Sequence, residues 1–448
     1  MLACGHDRSA FGVPLCAHLQ KDQTPWPEYV KWFIGSGLET VLLCIPCADK
    51  REKGVPVQLD AVCEACFERA SQKSGSLVGS RGNAEIRTRA EPFDTALQET
   101  TVPAEIGLIL DIAPIHDGAS SSWLMLVEDG SLIRMDADTR DWVRLAQSTV
   151  APESHHEPFR DRLLRRRLHV SRSGEFAAVL NDYGRFGQVL DLRQGRITLE
   201  LDGGDYHPDT VPFSFAFAQV RERLVAIHRT DWNRLDISDP ASGEVLTRRG
   251  PTSYRDGEQR PEHYLDYFHG GLYLSPDGSR VLDDGWAWHP VGLPAIWSVD
   301  KWIVDNVWES ENGPTLQYVC ARDYYWDHAV TWIDEHRVAI GGIGNDDMHM
   351  IDGARIFDVT LQGKADPQWR TDWTWPLEIT AFAGPSGLFF SDGTWLYSSD
   401  RTGLSRWDLR DGARTGHLKD FHPTRYHPRA GEFVQFGGRT LLRYKLTG

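Results

Sequence analysis

From residue 106 onward the chain repeats one short pattern. Each unit carries an apolar strand that ends in an apolar residue followed by Asp or by a substitute for Asp. Short β-type runs alternate with Gly, Asp and Asn turns, and no helical period is present. Such a repeat predicts small, similar sheets that pack against their neighbours. The seven steps are Met135-Asp136, Leu190-Asp191, Leu235-Asp236, Trp297-Ser298, Phe357-Asp358, Trp407-Asp408 and Tyr444-Lys445.

The period, the turns and the Arg406-Trp407-Asp408 step resemble a WD40-type β-propeller over about residues 106–448. The units are longer and less regular than WD40 repeats. The resemblance implies a mainly β fold with seven blades. Six or eight blades, or a pair of β-sandwiches, are the alternatives. Because the chain stops just after the seventh step, we expect a strand from residues 84–100, within a 76–105 linker, to complete the last blade and close the ring.

The N-terminal region is rich in cysteine, with six of the seven residues in the first 66 positions. Clustered cysteines in a reducing compartment are more often metal ligands than disulfides. Two C-x2-C pairs are separated by fifteen residues, a spacing typical of structural zinc, and two C-x-H pairs precede them. The eight predicted ligands are Cys4, His6, Cys16, His18, Cys44, Cys47, Cys63 and Cys66. They predict two structural Zn²⁺ ions in a small α+β finger domain of residues 1–75.

The sequence leaves the pairing of these ligands open. The two sites could be filled in chain order, or they could be cross-braced as in a RING finger. A presumed hairpin at Val55–Leu59, followed by a helix that opens at Cys63, resembles a treble-clef finger over about residues 40–75. A set of four cysteines leaves no open coordination position, so a structural role is expected.

Between the ligand pairs lies an aromatic stretch, WPEYVKWF, that begins at Trp26. Its aromatic residues are spaced roughly as on one face of a helix. We therefore predict a short helix that packs on the finger. An exposed peptide-binding patch is the alternative.

The charge of the chain limits its partners. There are 48 basic and 64 acidic residues, a net charge of −16, and residues 1–80 carry only 8 basic and 9 acidic ones. The acidic body repels phosphate backbones and favours basic proteins. No stretch reaches the ~18 apolar residues of a membrane span, and the N-terminus has no apolar signal core. We expect a protein partner, no nucleic acid, no membrane and a cytoplasmic location.

One basic run interrupts this acidic body. It comprises Arg162, Arg165, Arg166 and Arg167 in the segment DRLLRRRLHV. The plain interpretation is a solvated entry into a strand, and the alternative is a contact with an anion or with an acidic partner.

Loops between propeller blades gather on one face around the central channel, and here they are rich in aromatic and His residues. Tyr and Trp are effective anchors at interfaces, so these loops predict a partner-binding surface. The candidate residues are Tyr206, His207, Tyr264, Tyr267, His269, Tyr324, Tyr325, Trp326, His328, Tyr426 and His427. The alternative for His207, His328 and His427 is a hydrogen bond within their own blade.

These features favour a non-enzymatic interaction scaffold, and neutralisation of a basic toxin is one form of it. No common nucleophile or phosphate-loop motif occurs in the chain. One alternative is a metal-dependent hydrolase or lactonase with a site at the channel mouth. Its candidate residues are Asp266, His269, Asp283, Asp327 and His328. A further alternative makes the finger a recruiter of the ubiquitin-ligase type.

Overall fold

The computed structural model describes residues 12–20, 27–33, 40–53, 55–63, 66–67, 77–81, 86–94, 96–116, 121–154, 164–254, 257–345, 347, 350–363 and 373–446. These residues form a five-stranded sheet near the N-terminus and seven further sheets that follow one another along the chain. The predicted fold class, a mainly β propeller preceded by a small α+β region, is confirmed. No helix in the described ranges is long and apolar enough to cross a bilayer.

The N-terminal unit combines short strands with two short helices. Its elements are β1 (Gly12–Cys16), α1 (Ala17–Gln20), β2 (Tyr29–Phe33), β3 (Thr40–Cys44), α2 (Ile45–Glu52), β4 (Leu59–Cys63) and β5 (Leu77–Arg81). The strand order is β4-β1-β3-β2-β5, and β1 runs parallel to β3. Strand β5 lies beyond residue 75, at which the sequence places the end of the finger domain.

Two local expectations for this unit are wrong. The segment YVKWF is strand β2 and not a helix, because it pairs along its whole length with β3 and thereby buries Tyr29 and Trp32. The presumed hairpin at residues 55–59 is irregular at 55–58, and strand β4 begins only at Leu59. Cys63 ends β4, while Cys66 and Phe67 of the expected helix are helical. In both places sheet pairing overrides the local pattern.

The propeller begins with three antiparallel sheets. Strand β6 (Gln98–Thr101) precedes them, and they contain β7 (Ile109–Pro114), β8 (Ser122–Val127), β9 (Ser131–Asp136) and β10 (Trp142–Gln147); β11 (Arg165–Val170), β12 (Phe176–Asp182), β13 (Phe186–Asp191) and β14 (Arg196–Asp202); and β15 (Phe215–Val220), β16 (Arg223–Asp231) and β17 (Arg234–Ser238). In the third sheet, a single bridge from Ser238 to Val245 stands where the others have a fourth strand.

Four more sheets complete the series. They contain β18 (Tyr267–Leu274), β19 (Arg280–Ala287), β20 (Val291–Gly292), β21 (Ala295–Ser298), helices α3 (Val299–Val304) and α4 (Glu309–Asn312), β22 (Gln317–Tyr318) and β23 (Arg322–Asp323); β24 (Val330–Trp332), β25 (Arg337–Ile343), β26 (Ile351–Gln362) and β27 (Pro376–Ala383); β28 (Leu388–Ser391), β29 (Trp395–Asp400), β30 (Gly403–Asp408) and β31 (Arg414–Lys419); and β32 (Arg425–His427), β33 (Glu432–Gly437) and β34 (Thr440–Lys445). The fourth sheet is the largest because β20 and β23 extend it.

Every apolar-Asp step of the sequence, or its substitute, lies on the third strand of its sheet when paired strands are counted outward from the first strand. In the fourth sheet this strand is β21, which pairs with β19. The apolar residue packs in the sheet, as buried Leu190 does on β13. The following carboxylate caps the turn toward the fourth strand: Asp191 Oδ1 accepts the amides of Arg193 at 2.9 Å and Gln194 at 3.0 Å. Asp favours such turns because its side chain accepts backbone amides two and three residues ahead.

The seven sheets form a closed ring. The first strands lie beside one another in chain order from β7 to β28, and β32 returns to β7. The rings of Phe390 on β28 and Tyr426 on β32 are 6.3 Å apart, which connects the sixth sheet to the seventh. Strand β6 pairs antiparallel with β34 and supplies the fourth strand of the final sheet. Strand β6 thereby becomes the short outer strand of the last sheet, as β10, β14, β27 and β31 are in the other four-stranded sheets.

A buried ion pair holds this closure. Arg443 on β34 donates to Glu432 Oε1 at 2.9 Å, to the Ala137 carbonyl at 2.9 Å and to Asp138 at 2.6 Å. Glu432 is fully buried and also accepts hydrogen bonds from Ser121 and Trp123 of the first sheet. One guanidinium and one carboxylate therefore join the last sheet to the first.

We expect Arg443→Met to destabilise the propeller strongly, because Glu432 would keep its buried charge and lose its cation. Breaking a buried pair in this way costs about 3–5 kcal/mol. Chemical denaturation followed by tryptophan fluorescence measures the loss. Arg193→Met is the control, since Arg193 pairs with Glu175 at the surface with a side chain that is 74% exposed; equal losses in the two variants would contradict the assignment.

Candidate zinc centre and aromatic loop face

Four of the predicted ligands meet at one edge of the N-terminal sheet. Cys16 ends β1 and Cys44 ends β3, and each strand is followed at once by a helix that carries the second ligand of its pair, His18 or Cys47. Because β1 and β3 are parallel, their carboxyl ends lie at the same edge. Strand direction therefore brings together two pairs that are far apart in sequence.

The donor atoms have the spacing of a tetrahedral site. One ligand atom each from Cys16, His18, Cys44 and Cys47 lies within 4.8 Å of the other three. His18 Nδ1 is 3.1 Å from Cys47 Sγ and 3.7 Å from Cys44 Sγ. Zinc bonds of about 2.3 Å to sulfur and 2.0 Å to nitrogen place neighbouring ligand atoms about 3.5–3.8 Å apart. This Cys3His cluster could bind a zinc ion.

The chemistry of the donor set fits a cation. The three cysteines are buried, and burial together with the neighbouring thiols Cys44 and Cys16 raises the pKa of Cys47 to about 12. A dication offsets the repulsion among adjacent thiolates, which is why such sets bind zinc. Four protein ligands leave no position open for water, so the cluster suits a structural ion.

The observed pairing follows neither of the schemes that the sequence suggests. Filling in chain order would separate Cys16 from Cys44, and cross-bracing would join Cys16 with Cys63. The described residues instead group the second ligand pair with the third. Cys63 and Cys66 lie outside this cluster, and Cys4 and His6 fall outside the described residues.

On the propeller, the loop residues form one continuous aromatic cluster at the third and fourth sheets. We name the following seven rings the loop-face cluster: Tyr206, His207, Trp232, Phe268, Trp286, Trp288 and Trp326. Trp326, Trp286 and Phe268 stack in a buried ladder with centroids 4.7 and 4.3 Å apart. Tyr206 stacks on Phe268 at 5.9 Å and is 45% exposed, while Trp288 is 48% exposed.

Three tryptophans of this cluster are not among the residues that the sequence predicts for the partner-binding surface. Trp232 lies in the turn between β16 and β17, and Trp286 and Trp288 lie at the turn between β19 and β20. These turns reach the same face as the loops that connect the sheets. The signal was present in the tryptophans of DWNR and GWAWHP, but only the strand directions place turns and loops together.

Four residues predicted for the partner surface are buried instead. Tyr267 donates to the Leu293 carbonyl at 3.0 Å, and His269 Nδ1 lies 2.6 Å from Asp283 Oδ2. Trp326 donates to the Thr210 carbonyl at 3.0 Å, and His427 Nε2 lies 3.1 Å from the Ile115 carbonyl. These contacts lie inside the propeller, so only the ring of Trp326 contributes to the cluster, from its buried side.

The remaining candidates are divided between the surface and the central channel. Tyr264 lies 6.4 Å from Trp232 at the rim of the cluster, and Tyr324 is exposed. Tyr325 and His328 stack on each other at 3.4 Å and line the central channel, as Tyr426 does. The predicted residues therefore do not form a single surface.

The geometry does not assemble the alternative metal site at the channel mouth. His269 and Asp283 are a buried pair between β18 and β19, and Asp327 accepts a hydrogen bond from the Tyr183 hydroxyl at 2.8 Å. Across the part of the chain that the structure describes, the Cys3His cluster is the one group of three or more His, Cys, Asp or Glu side chains that converges as metal ligands would.

No protein-family model matches the chain, and no curated protein matches it. Among solved structures, a chain in the crystal structure of the mitotic checkpoint complex superposes with a TM-score of 0.46 and 13% sequence identity, covering 81% of this chain and 99% of that chain. The propeller assignment therefore rests on the seven sheets and their closure.

We expect the double variant Cys44→Ser/Cys47→Ser to lose one zinc ion per chain, because two of the four donors are removed. Zinc content by mass spectrometry and the thiolate charge-transfer band of the cobalt-substituted protein are the measurements. Cys320→Ala is the matched control, since Cys320 is buried in the propeller, and it should keep the full metal content. Unchanged zinc in the double variant would refute the site.

Proposed function

We propose that this protein is a non-enzymatic interaction scaffold whose recognition surface is the loop-face cluster and whose partner is a basic protein. The observation that carries the proposal is the exposure of Tyr206 and Trp288 on top of a buried aromatic ladder. Exposed aromatic rings that rest on a rigid base are typical anchors of an interface, because little conformational entropy is lost when they bind.

Charge around the cluster supports a basic partner. Asp205 and Asp209 flank Tyr206 and His207 in the same loop, and the side chain of Asp205 is 86% exposed. The whole chain carries a net charge of −16. An Arg or Lys of the partner could lie on an indole or phenol face next to these carboxylates, where cation–π attraction contributes about 0.5–2 kcal/mol. Neutralisation of a basic toxin is one function that such a surface could serve.

The backbone beside the cluster is held in an uncommon conformation. His207 has a φ of 47° and Tyr324 a φ of 56°, both in the left-handed region that non-glycine residues rarely adopt. Such conformations cost free energy and are concentrated at functional sites. Their occurrence in two of the loops that carry the predicted residues supports a binding role for this face.

We expect Tyr206→Ala/Trp288→Ala to abolish capture of a stoichiometric basic partner from the native cytosol, because both exposed anchors are lost. Pulldown followed by calorimetry with the purified partner measures the effect, and we expect affinity to fall about a hundredfold or more. Trp142→Ala is the control, since Trp142 is 38% exposed on the outer strand β10 of the first sheet. A partner that binds the wild type, the double variant and Trp142→Ala with equal affinity would show that the loop-face cluster is not the interface.

For the finger domain we propose two structural zinc ions, the second bound by Cys4, His6, Cys63 and Cys66. Strand β1 pairs antiparallel with β4, and Gly12 lies opposite Cys63. In the sequence Cys4 and His6 precede Gly12 and Cys66 follows Cys63, so the proposal pairs the ligands that lie on either side of the Gly12–Cys63 contact. The pairing would be nested, with the outer two ligand pairs on one ion and the inner two on the other.

Thiolate ligands stay reduced in the cytosol, which supports a cytoplasmic location.

Metal counting tests the nested pairing. We expect two zinc ions per chain and the loss of only one in Cys4→Ser/Cys63→Ser, since both residues would belong to the same site. Filling in chain order or cross-bracing would assign these residues to different sites, so both sites would be damaged. A wild-type content of one ion, or the same content in the double variant, would reject the second site.

A further inference from the structure

A central cavity of about 940 Å³ is lined by the first strands of six of the seven sheets and, at the third sheet, by Pro212 in the loop before β15. The cavity therefore lies in the channel of the propeller. Its volume is in the range of pockets that bind small molecules. The proposal above makes no use of this cavity.

One wall of the channel is basic, although the protein as a whole is acidic. Residues of the sequence run Arg162 to Arg167 provide part of it: Arg165 and Arg167 alternate on β11 and both line the cavity, as does Arg425 on β32. Their side chains are 58%, 27% and 19% exposed. All three side chains are therefore partly exposed, and all three line the channel.

These three arginines share two carboxylates. Arg165 Nε and Arg167 Nη1 approach the same oxygen, Asp182 Oδ2, at 3.5 and 3.1 Å. Arg425 pairs with Asp111, whose second oxygen accepts the Leu168 amide at 2.8 Å. Three positive charges against two negative ones leave one positive charge without a counterion among these contacts.

Uncharged hydrogen-bonding groups lie on the same wall. Among the described residues that line the cavity, His169 Nε2 and Thr424 Oγ1 are buried without a hydrogen-bond partner. Burial, with Arg167 adding to it, lowers the pKa of His169 to about 3, so the ring stays neutral at physiological pH. A buried polar atom without a partner costs free energy that a bound ligand can recover.

The cavity also has acidic lining residues. Asp327 and Asp352 line it, and Asp327 accepts a hydrogen bond from the Tyr183 hydroxyl. An anionic group is attracted to the arginines of β11 and β32 and repelled by these two carboxylates.

We infer that the channel is a binding site for a small molecule that carries a carboxylate or phosphate group, held by Arg165, Arg167 and Arg425. Arginine suits this role because its planar fork matches the oxygen atoms of both groups. His169 and Thr424 would supply further hydrogen bonds. The site is independent of the loop-face cluster and does not depend on the proposed partner.

Titration of the full-length protein with inorganic phosphate and with citrate tests the inference, with calorimetry and thermal shift as readouts. We expect saturable binding of at least one of the two anions at one site per chain. The anion that binds identifies the group. Absence of binding by both at millimolar concentration would overturn the proposal.

The variant Arg165→Gln locates the site. We expect it to weaken binding about tenfold, because charge-assisted hydrogen bonds to the anion are lost, and to keep a cooperative unfolding transition without ligand. Arg193→Gln makes the same change of charge at the exposed turn between β13 and β14 and should leave binding intact. Equal binding by the two variants would place the anion elsewhere and overturn the proposal. Arg167 and Arg425 are left unchanged in the test, since their removal would leave buried Asp182 or Asp111 without the cation that pairs with it.

Discussion

The propeller depends on one closure, the pairing of β6 with β34. Without it the last sheet would have only the three strands β32, β33 and β34. The Arg443–Glu432 pair reinforces this closure, because it links the last sheet to β6 through Thr100 and to the first sheet through Ala137 and Ser121. Burying these charges costs desolvation free energy. We therefore interpret the pair as a contact that specifies which two sheets pack together.

Closure also determines where recognition can occur. Once the first strands surround the channel, the connecting loops and the turns between second and third strands lie on one face. Tyr206 comes from such a loop, whereas Trp232 and Trp288 come from such turns, and the three rings meet above the buried Phe268 and Trp286. The same geometry directs alternate residues of β11 into the channel, which places Arg165 and Arg167 on its wall.

The N-terminal unit has only a small core to stabilise it. Its described core is small and built around Leu15, Val30 and Leu43, and small cores contribute little net stability. A metal bound by ligands from β1, α1, β3 and α2 would tie both parallel strands and both helices together at one point. This arrangement is a reason for the cluster to lie at the sheet edge and to be closed to substrates.

The sequence by itself determined the repeat, the position of each apolar-Asp step at the end of a strand, the class of the fold and the chemical nature of the candidate metal ligands. These follow from local rules: alternation within strands, Asp at turns and thiolate spacing. Tertiary structure alone decided which ligand pairs meet, because that depends on β1 and β3 being parallel. It also decided that His269 and His427 are buried, that YVKWF is a strand, and that Trp232 and Trp288, which are distant in sequence, share one face. Contacts between segments far apart in sequence depend on strand order and direction, and no local pattern of residues encodes these.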